Sequence, residues 1–141
     1  MVAMSDAQGH IHNALDYLEL TVDDLAAAKA FYAAAFGWAF NEYGPGYAGI
    51  RRLGASGAAS DGEQGGIRED ATVALARKNR DAYAAAALAL PILYSRTLDE
   101  TVAAVKRAGG EITKPPFAFP GGRRFHFCDP SGNELAVWSE K

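Results

Sequence analysis

From Leu15 to Val22 apolar and polar residues alternate, with Leu18, Leu20 and Val22 on one side and Tyr17, Glu19 and Thr21 on the other. A period of two predicts a strand with one face on a core. The period then lengthens. Leu25, Ala28, Phe31, Tyr32, Ala35 and Phe36 fall on one stripe of a helix, opened by Asp23 or Asp24 as cap and closed by Gly37. Residues 38–43 and 47–53 read as strands around the Gly44-Pro45-Gly46 turn. The small residues of 54–62 read as a loop, and 63–69 as a short fourth strand.

The same order returns. Residues 88–96 are apolar and strand-like, 98–108 carry a helical stripe of Leu98, Val102 and Val105, and 111–118, 123–128 and 134–139 read as three more strands. The leucines that open the two helices, Leu25 and Leu98, lie 73 positions apart, and so do Gly37 and Gly110. The pattern divides the chain into a mobile N-terminus (1–13), a first βαβββ module (14–69), a connector that permits a helix (70–87) and a second βαβββ module (88–141), together one compact domain. Neither small sheet can bury both faces alone. The expected fold class is therefore α+β: two βαβββ modules pairing into a curved, half-barrel mixed sheet around a cleft, with helices outside.

Composition narrows the function. With 141 residues, 49% of them hydrophobic and 22% charged, the chain has the make-up of a globular protein. A net charge of −3 argues against nucleic acid as a partner, and the Arg123-Arg124 pair is too small for such a footprint. The one cysteine, Cys128, excludes an internal disulfide and a cysteine-rich zinc site. No apolar run approaches the roughly 20 residues of a membrane span, and the first residues lack the pattern of a secretory signal, so the expected location is cytoplasmic.

The segments LDYLELTVDDLAAAKAFYAAAFGW, Gly65-Gly66-Ile67 and GGRRFHFCDPSGNELAVW, set in a duplicated βαβββ plan, resemble the vicinal oxygen chelate superfamily. That superfamily includes glyoxalase I, extradiol dioxygenases and the fosfomycin- and bleomycin-resistance proteins. The resemblance implies homodimers and, in its metal-dependent members, ligands from the first and last strands of each module. Carried over position by position, those ligands fall on Tyr17, Leu90, Ala136 and approximately Glu63. Leucine and alanine have no electron pair to give, and tyrosine is protonated at neutral pH. No metal and no other cofactor is expected.

Parity assigns the cleft. Phe125, Phe127, Leu135 and Val137 should face the helices; Arg124, His126, Cys128, Glu134, Ala136 and Trp138 should face the cleft. Between them the DPSGN turn, Asp129 to Asn133, has the chemistry of a hairpin. Tyr17, Glu19, Arg124, His126 and Trp138 are the expected ligand-binding residues, around a small Ala136 floor. Glu19 and His126 are also the candidate acid–base pair. Tyr43, Tyr47 and Tyr94 read as packing residues, and His10 and His12 belong to the N-terminal stretch. The expected function is binding of a small organic molecule, antibiotic-like or an aromatic metabolite, without metal. The alternatives are a lyase, isomerase or dioxygenase with a non-standard metal site or acid–base residues, and a regulatory or assembly module with no ligand.

Overall fold

The computed structural model describes residues 10–54, 56–72, 79–85 and 88–141. Along the chain come β1 (Leu18–Val22), α1 (Leu25–Phe36), β2 (Phe40–Glu42), β3 (Tyr47–Leu53), β4 (Ala59–Glu69), α2 (Arg80–Ala85), β5 (Ile92–Tyr94), α3 (Leu98–Arg107), β6 (Glu111–Phe119), β7 (Gly122–Cys128) and β8 (Glu134–Ser139). The strands form two four-stranded sheets in the orders β1-β4-β3-β2 and β5-β8-β7-β6. In each sheet the first strand runs parallel to the fourth, and the other pairings are antiparallel. The repeat is therefore a repeat of topology, and neither sheet closes into a barrel. Among the described residues no helix is long and apolar enough to cross a membrane.

Helix α1 forms where its caps predict. Asp24 Oδ1 accepts from the Ala27 amide at 3.0 Å, and the Leu25 amide donates to Glu69 Oε2 from the end of β4 at 2.9 Å. Two carboxylates thus meet the positive end of the helix. Gly37 ends it at φ +71°, a left-handed position that costs a side-chain-bearing residue more than glycine. After α3 the corresponding left-handed residue is Gly109, at φ +97°, rather than Gly110. Gly110 has a different task. A β-carbon there would meet Phe31 Cε1 at 2.8 Å and Val105 Cγ1 at 2.7 Å, so its bareness lets α1 approach the end of α3.

The parity of the strands holds. Phe125, Phe127, Leu135 and Val137 are wholly buried in one core with Leu20, Val22, Phe31, Tyr32, Ile67 and Val105. Phe31 and Phe36 of α1 meet Phe127 of β7 with ring centroids at 6.0 and 5.4 Å, so the two halves share that core. Fully burying such a side chain is worth about 1.5–3 kcal/mol.

The DPSGN turn does more than reverse the chain. It bolts the second half to the β1–α1 junction of the first. Asn133 Nδ2 donates to the Thr21 carbonyl at 2.9 Å, Ser131 Oγ donates to Asp23 Oδ1 at 2.6 Å and accepts from the Asp23 amide at 3.0 Å, and Tyr32 Oη donates to Asp129 Oδ2 at 2.9 Å. Burial raises the pKa of Asp129, and hydrogen bonds from Asn133, Tyr32 and the Ser131 amide oppose that rise.

Element boundaries moved where tertiary contacts override local pattern. The strand expected from residue 38 begins at Phe40, because Trp38 turns inward to stack on Tyr32 at 4.6 Å between centroids. The loop expected over 54–62 is partly strand, since β4 starts at Ala59 opposite Leu53. The strand expected over 88–96 is ordered as such only at Ile92–Tyr94; Pro91 offers its carbonyl to the Ala136 amide at 3.0 Å just before it. In the connector, the helix that the composition permits is present at Arg80–Ala85, while 73–78 and 86–87 lie outside the described residues, as do residues 1–9 of the N-terminal stretch.

Candidate functional site

Strand register lays the open face of the second sheet out in rows. One row runs Ile92, Ala136, His126, Lys114; the next runs Tyr94, Trp138, Arg124, Phe117. Each row begins on the edge strand β5 and ends on β6. The second is three aromatics and one guanidinium. Ile92, Phe119, Gly121, Arg124 and Trp138 line a cavity of about 410 Å³, with little polar surface apart from Arg124. That volume is within the range of small-molecule sites. Tyr94 and Phe119 meet Trp138 edge-on, with centroids at 5.2 and 6.3 Å.

Arg124 is held from below by a chain of polar contacts. Its Nη2 donates to His126 Nε2 at 3.0 Å; His126 Nδ1 lies 3.3 Å from Glu134 Oε2; Glu134 Oε1 accepts from Arg80 Nη2 at 2.9 Å. Because guanidinium can only donate, His126 Nε2 must accept, which places the imidazole proton on Nδ1, toward Glu134. Burial lowers the His126 pKa, aided by the positive charges of Arg124 and Lys114 and opposed by Glu134. Arg80 also donates to the Gly132 carbonyl at 3.0 Å and lies over the Tyr83 ring, and Tyr83 Oη accepts from the Glu134 amide at 2.9 Å. Helix α2 of the connector is thereby tied to the same network that carries Arg124.

The open face of the first sheet is built differently. Its central row runs Glu19, Gly66, Gly49, Asn41. The two glycines make a trench. A β-carbon on Gly66 would collide with the hydroxyls of Tyr17 and Tyr47, and one on Gly49 with the carboxylate of Glu63. The tyrosine hydroxyls bond each other across the trench at 2.6 Å. Burial, then hydrogen bonding to Tyr17 and Glu19, raises the pKa of Tyr47. A second cavity, about 350 Å³, opens beside Tyr17, Tyr43, Arg52 and Glu63.

The five expected ligand-binding residues thus divide among separate places. Arg124 and Trp138 share the aromatic cavity, with His126 buried beside Arg124. Tyr17 lies in the first-sheet cavity. Glu19 borders a smaller space of about 180 Å³ at the seam, shared with Tyr83, Pro91 and Glu134. The acid–base pairing of Glu19 with His126 is not made. Glu19 faces Arg68 at 3.6 Å on its own sheet, and His126 faces Glu134. Cys128, expected on the cleft side, is buried, and that burial pushes its thiol up to about 11. Ile92, Phe117, Phe119 and Tyr47 were not singled out by sequence as site residues. For Ile92, strand parity relative to Tyr94 was the available signal.

The positions that the family resemblance assigns to a metal do not suit one. Ala136 is wholly buried and offers no donor, and Leu90 offers only hydrocarbon. The Tyr17 hydroxyl is engaged with Tyr47, and Glu63 Oε2 accepts from Asn41 Nδ2 at 3.0 Å and Tyr43 Oη at 2.8 Å. A zinc site takes three or four protein donors. Among the described residues no group of three histidine, cysteine, aspartate or glutamate side chains is arranged to hold one.

Comparison with known proteins agrees with the duplicated topology. Residues 14–137 match the sequence profile of the Glyoxalase/Bleomycin resistance protein/Dioxygenase superfamily. Solved structures of similar fold include a glyoxalase/bleomycin resistance protein/dioxygenase family enzyme from Burkholderia phytofirmans PsJN, at TM-score 0.66 and 19% identity over 90% of this chain and 98% of that one. A glyoxalase-related enzyme from Fulvimarina pelagi superposes at TM-score 0.59 with 20% identity, covering 90% of this chain and 88% of its own. TnmS3, an antibiotic binding protein from Streptomyces sp. CB03234, superposes at 0.58 with 18% identity, covering 92% and 98%. At these identities the likeness is one of fold. No curated protein sequence matches significantly.

Proposed function

The chain belongs to the Glyoxalase/Bleomycin resistance protein/Dioxygenase superfamily, and within it we propose that this member binds a small organic molecule, antibiotic-like or an aromatic metabolite, and does so without a metal. The observation that carries this reading is the row Tyr94, Trp138, Arg124, Phe117 beside a largely apolar cavity of about 410 Å³. Aromatic walls with one oriented polar group are what a ligand pocket requires. The donor-poor metal positions support binding over the metal-assisted chemistry of metal-dependent relatives. That one structural relative is an antibiotic binding protein is consistent with the same reading.

A homodimer in the cytoplasm belongs to this proposal. Leu18 on β1 and Ile92 and Tyr94 on β5 are large apolar side chains left exposed on edge strands, where a second copy gives the most cover. Gel filtration with light scattering reads the oligomeric state directly.

The test of the binding reading is a thermal-shift screen of antibiotics and aromatic metabolites, with metal content measured on the same preparation. A ligand at 100 times its Kd adds about 2.7 kcal/mol, or several degrees of Tm. Silence across the panel, or a stoichiometric metal lost on Glu63→Ala, overturns it.

A further inference from the structure

We propose that the open face of the second sheet is a site for a planar aromatic carboxylate, its ring against Trp138, Phe119 and Ile92 and its carboxylate on Arg124. The inference rests on the binding reading above and names the ligand's chemistry.

The guanidinium of Arg124 is the reason. Among the described residues its only side-chain hydrogen bond is the one to His126, and no carboxylate pairs with it. Its Nε is buried with no partner. The Phe117 ring, 5.6 Å from the guanidinium carbon, covers it from one side without supplying an acceptor. A half-buried charge with unused donors is expensive, and an anion within reach relieves that cost.

Among the described residues that line the cavity, Arg124 is the one that carries a charge. Glu134, the nearest carboxylate in the network, is held by Arg80 and His126. His126 accepts from Arg124 as a neutral imidazole and so leaves the positive charge undiminished. Glu134 and Arg80 sit behind His126 and fix which nitrogen accepts, which makes them positioning residues for the guanidinium. One guanidinium, rather than a cluster, suits a monoanion, and its planar fork matches a carboxylate. The flanking surfaces specify the remainder of the ligand. The Phe119 and Trp138 rings meet at an interplanar angle of 67° beside Ile92, an apolar corner that favours a flat ring over a flexible chain.

The experiment titrates 2-naphthoate and its neutral isostere 2-naphthamide against the full chain, followed by tryptophan fluorescence and calorimetry. Trp138 borders the cavity and reports binding, whereas Trp38 is buried against Tyr32. The expected result is that naphthoate binds about tenfold or more tighter than the amide, the scale of one charge-assisted contact. Arg124→Met should abolish that preference while amide binding persists, which also reports that the variant is folded. Arg124→Lys should keep part of the preference, and Trp138→Leu should weaken both probes. Equal affinity for the two probes, or a preference that survives Arg124→Met, overturns the carboxylate site and leaves the broader binding reading standing. No binding of either probe overturns it as well, and silence of the whole ligand panel removes the broader reading too. A dimer that dissociates on Arg124→Met, with naphthoate inert, assigns the arginine to a carboxylate of a second copy instead.

Discussion

The Tyr32 hydroxyl donates to Asp129 Oδ2 at 2.9 Å, joining the helix of the first half to the last turn of the second. Both side chains are buried, and Asp129 also accepts from the Ser131 and Asn133 amides and from Asn133 Nδ2. Tyr32→Phe should therefore destabilise the protein by about 1.5–3 kcal/mol, the range for a hydrogen bond to a charged group. Asp129→Ala should cost more, since it orphans four donors at once. Urea denaturation measures both, and a Tyr32→Phe cost below about 0.5 kcal/mol would show that the bond contributes little.

The environment of His126 makes a pH prediction. Burial holds its pKa below the usual 6.5, so above that pH the imidazole is neutral in folded and unfolded chains alike and contributes no slope. As pH falls through 6.5 the unfolded chain takes up the proton first, and stability drops until the folded-state pKa is reached. His126→Gln, whose carbonyl can still accept from Arg124, should remove this component and flatten the stability profile between pH 7 and the depressed pKa. Denaturation midpoints at stepped pH compare the two proteins. Equal slopes would place the acid sensitivity elsewhere.

Gly66 should resist any side chain. Gly66→Ala puts a methyl group where the Tyr17 and Tyr47 hydroxyls meet. We expect a loss of about 1–3 kcal/mol from overpacking. In a Tyr17→Ala/Tyr47→Ala background the same methyl should cost far less, and this coupling is what a double-mutant comparison by chemical denaturation detects. Additive costs would mean that the tyrosines are not what Gly66 accommodates.

Cys128 should be inert in the native state. It is 4% exposed, and burial pushes its thiol up to about 11. Labelling by a disulfide reagent at pH 8 should follow global unfolding and be accelerated strongly by denaturant. Rapid stoichiometric labelling of the folded protein would contradict the buried assignment.

Much of this was legible along the chain because it depends on period. Alternation on β7 and β8 placed Phe125, Phe127, Leu135 and Val137 on the core side and Arg124 and Trp138 on the open side without reference to any partner. The helical stripe of α1 and its Asp24 cap are equally local, as is the repeat that predicted one topology twice. Which residue lies across from which is decided elsewhere, since it depends on register and on how two sheets are set against their helices. Only the tertiary structure gave Glu19 to Arg68, His126 to Glu134 and Arg124, and the DPSGN turn to Asp23, Thr21 and Tyr32. Only it set Glu19, Tyr17 and the Arg124–Trp138 pair beside three different cavities and buried His126. Side-chain direction is set by neighbours one or two residues away, whereas a contact partner is set by strands and turns as much as 112 residues distant.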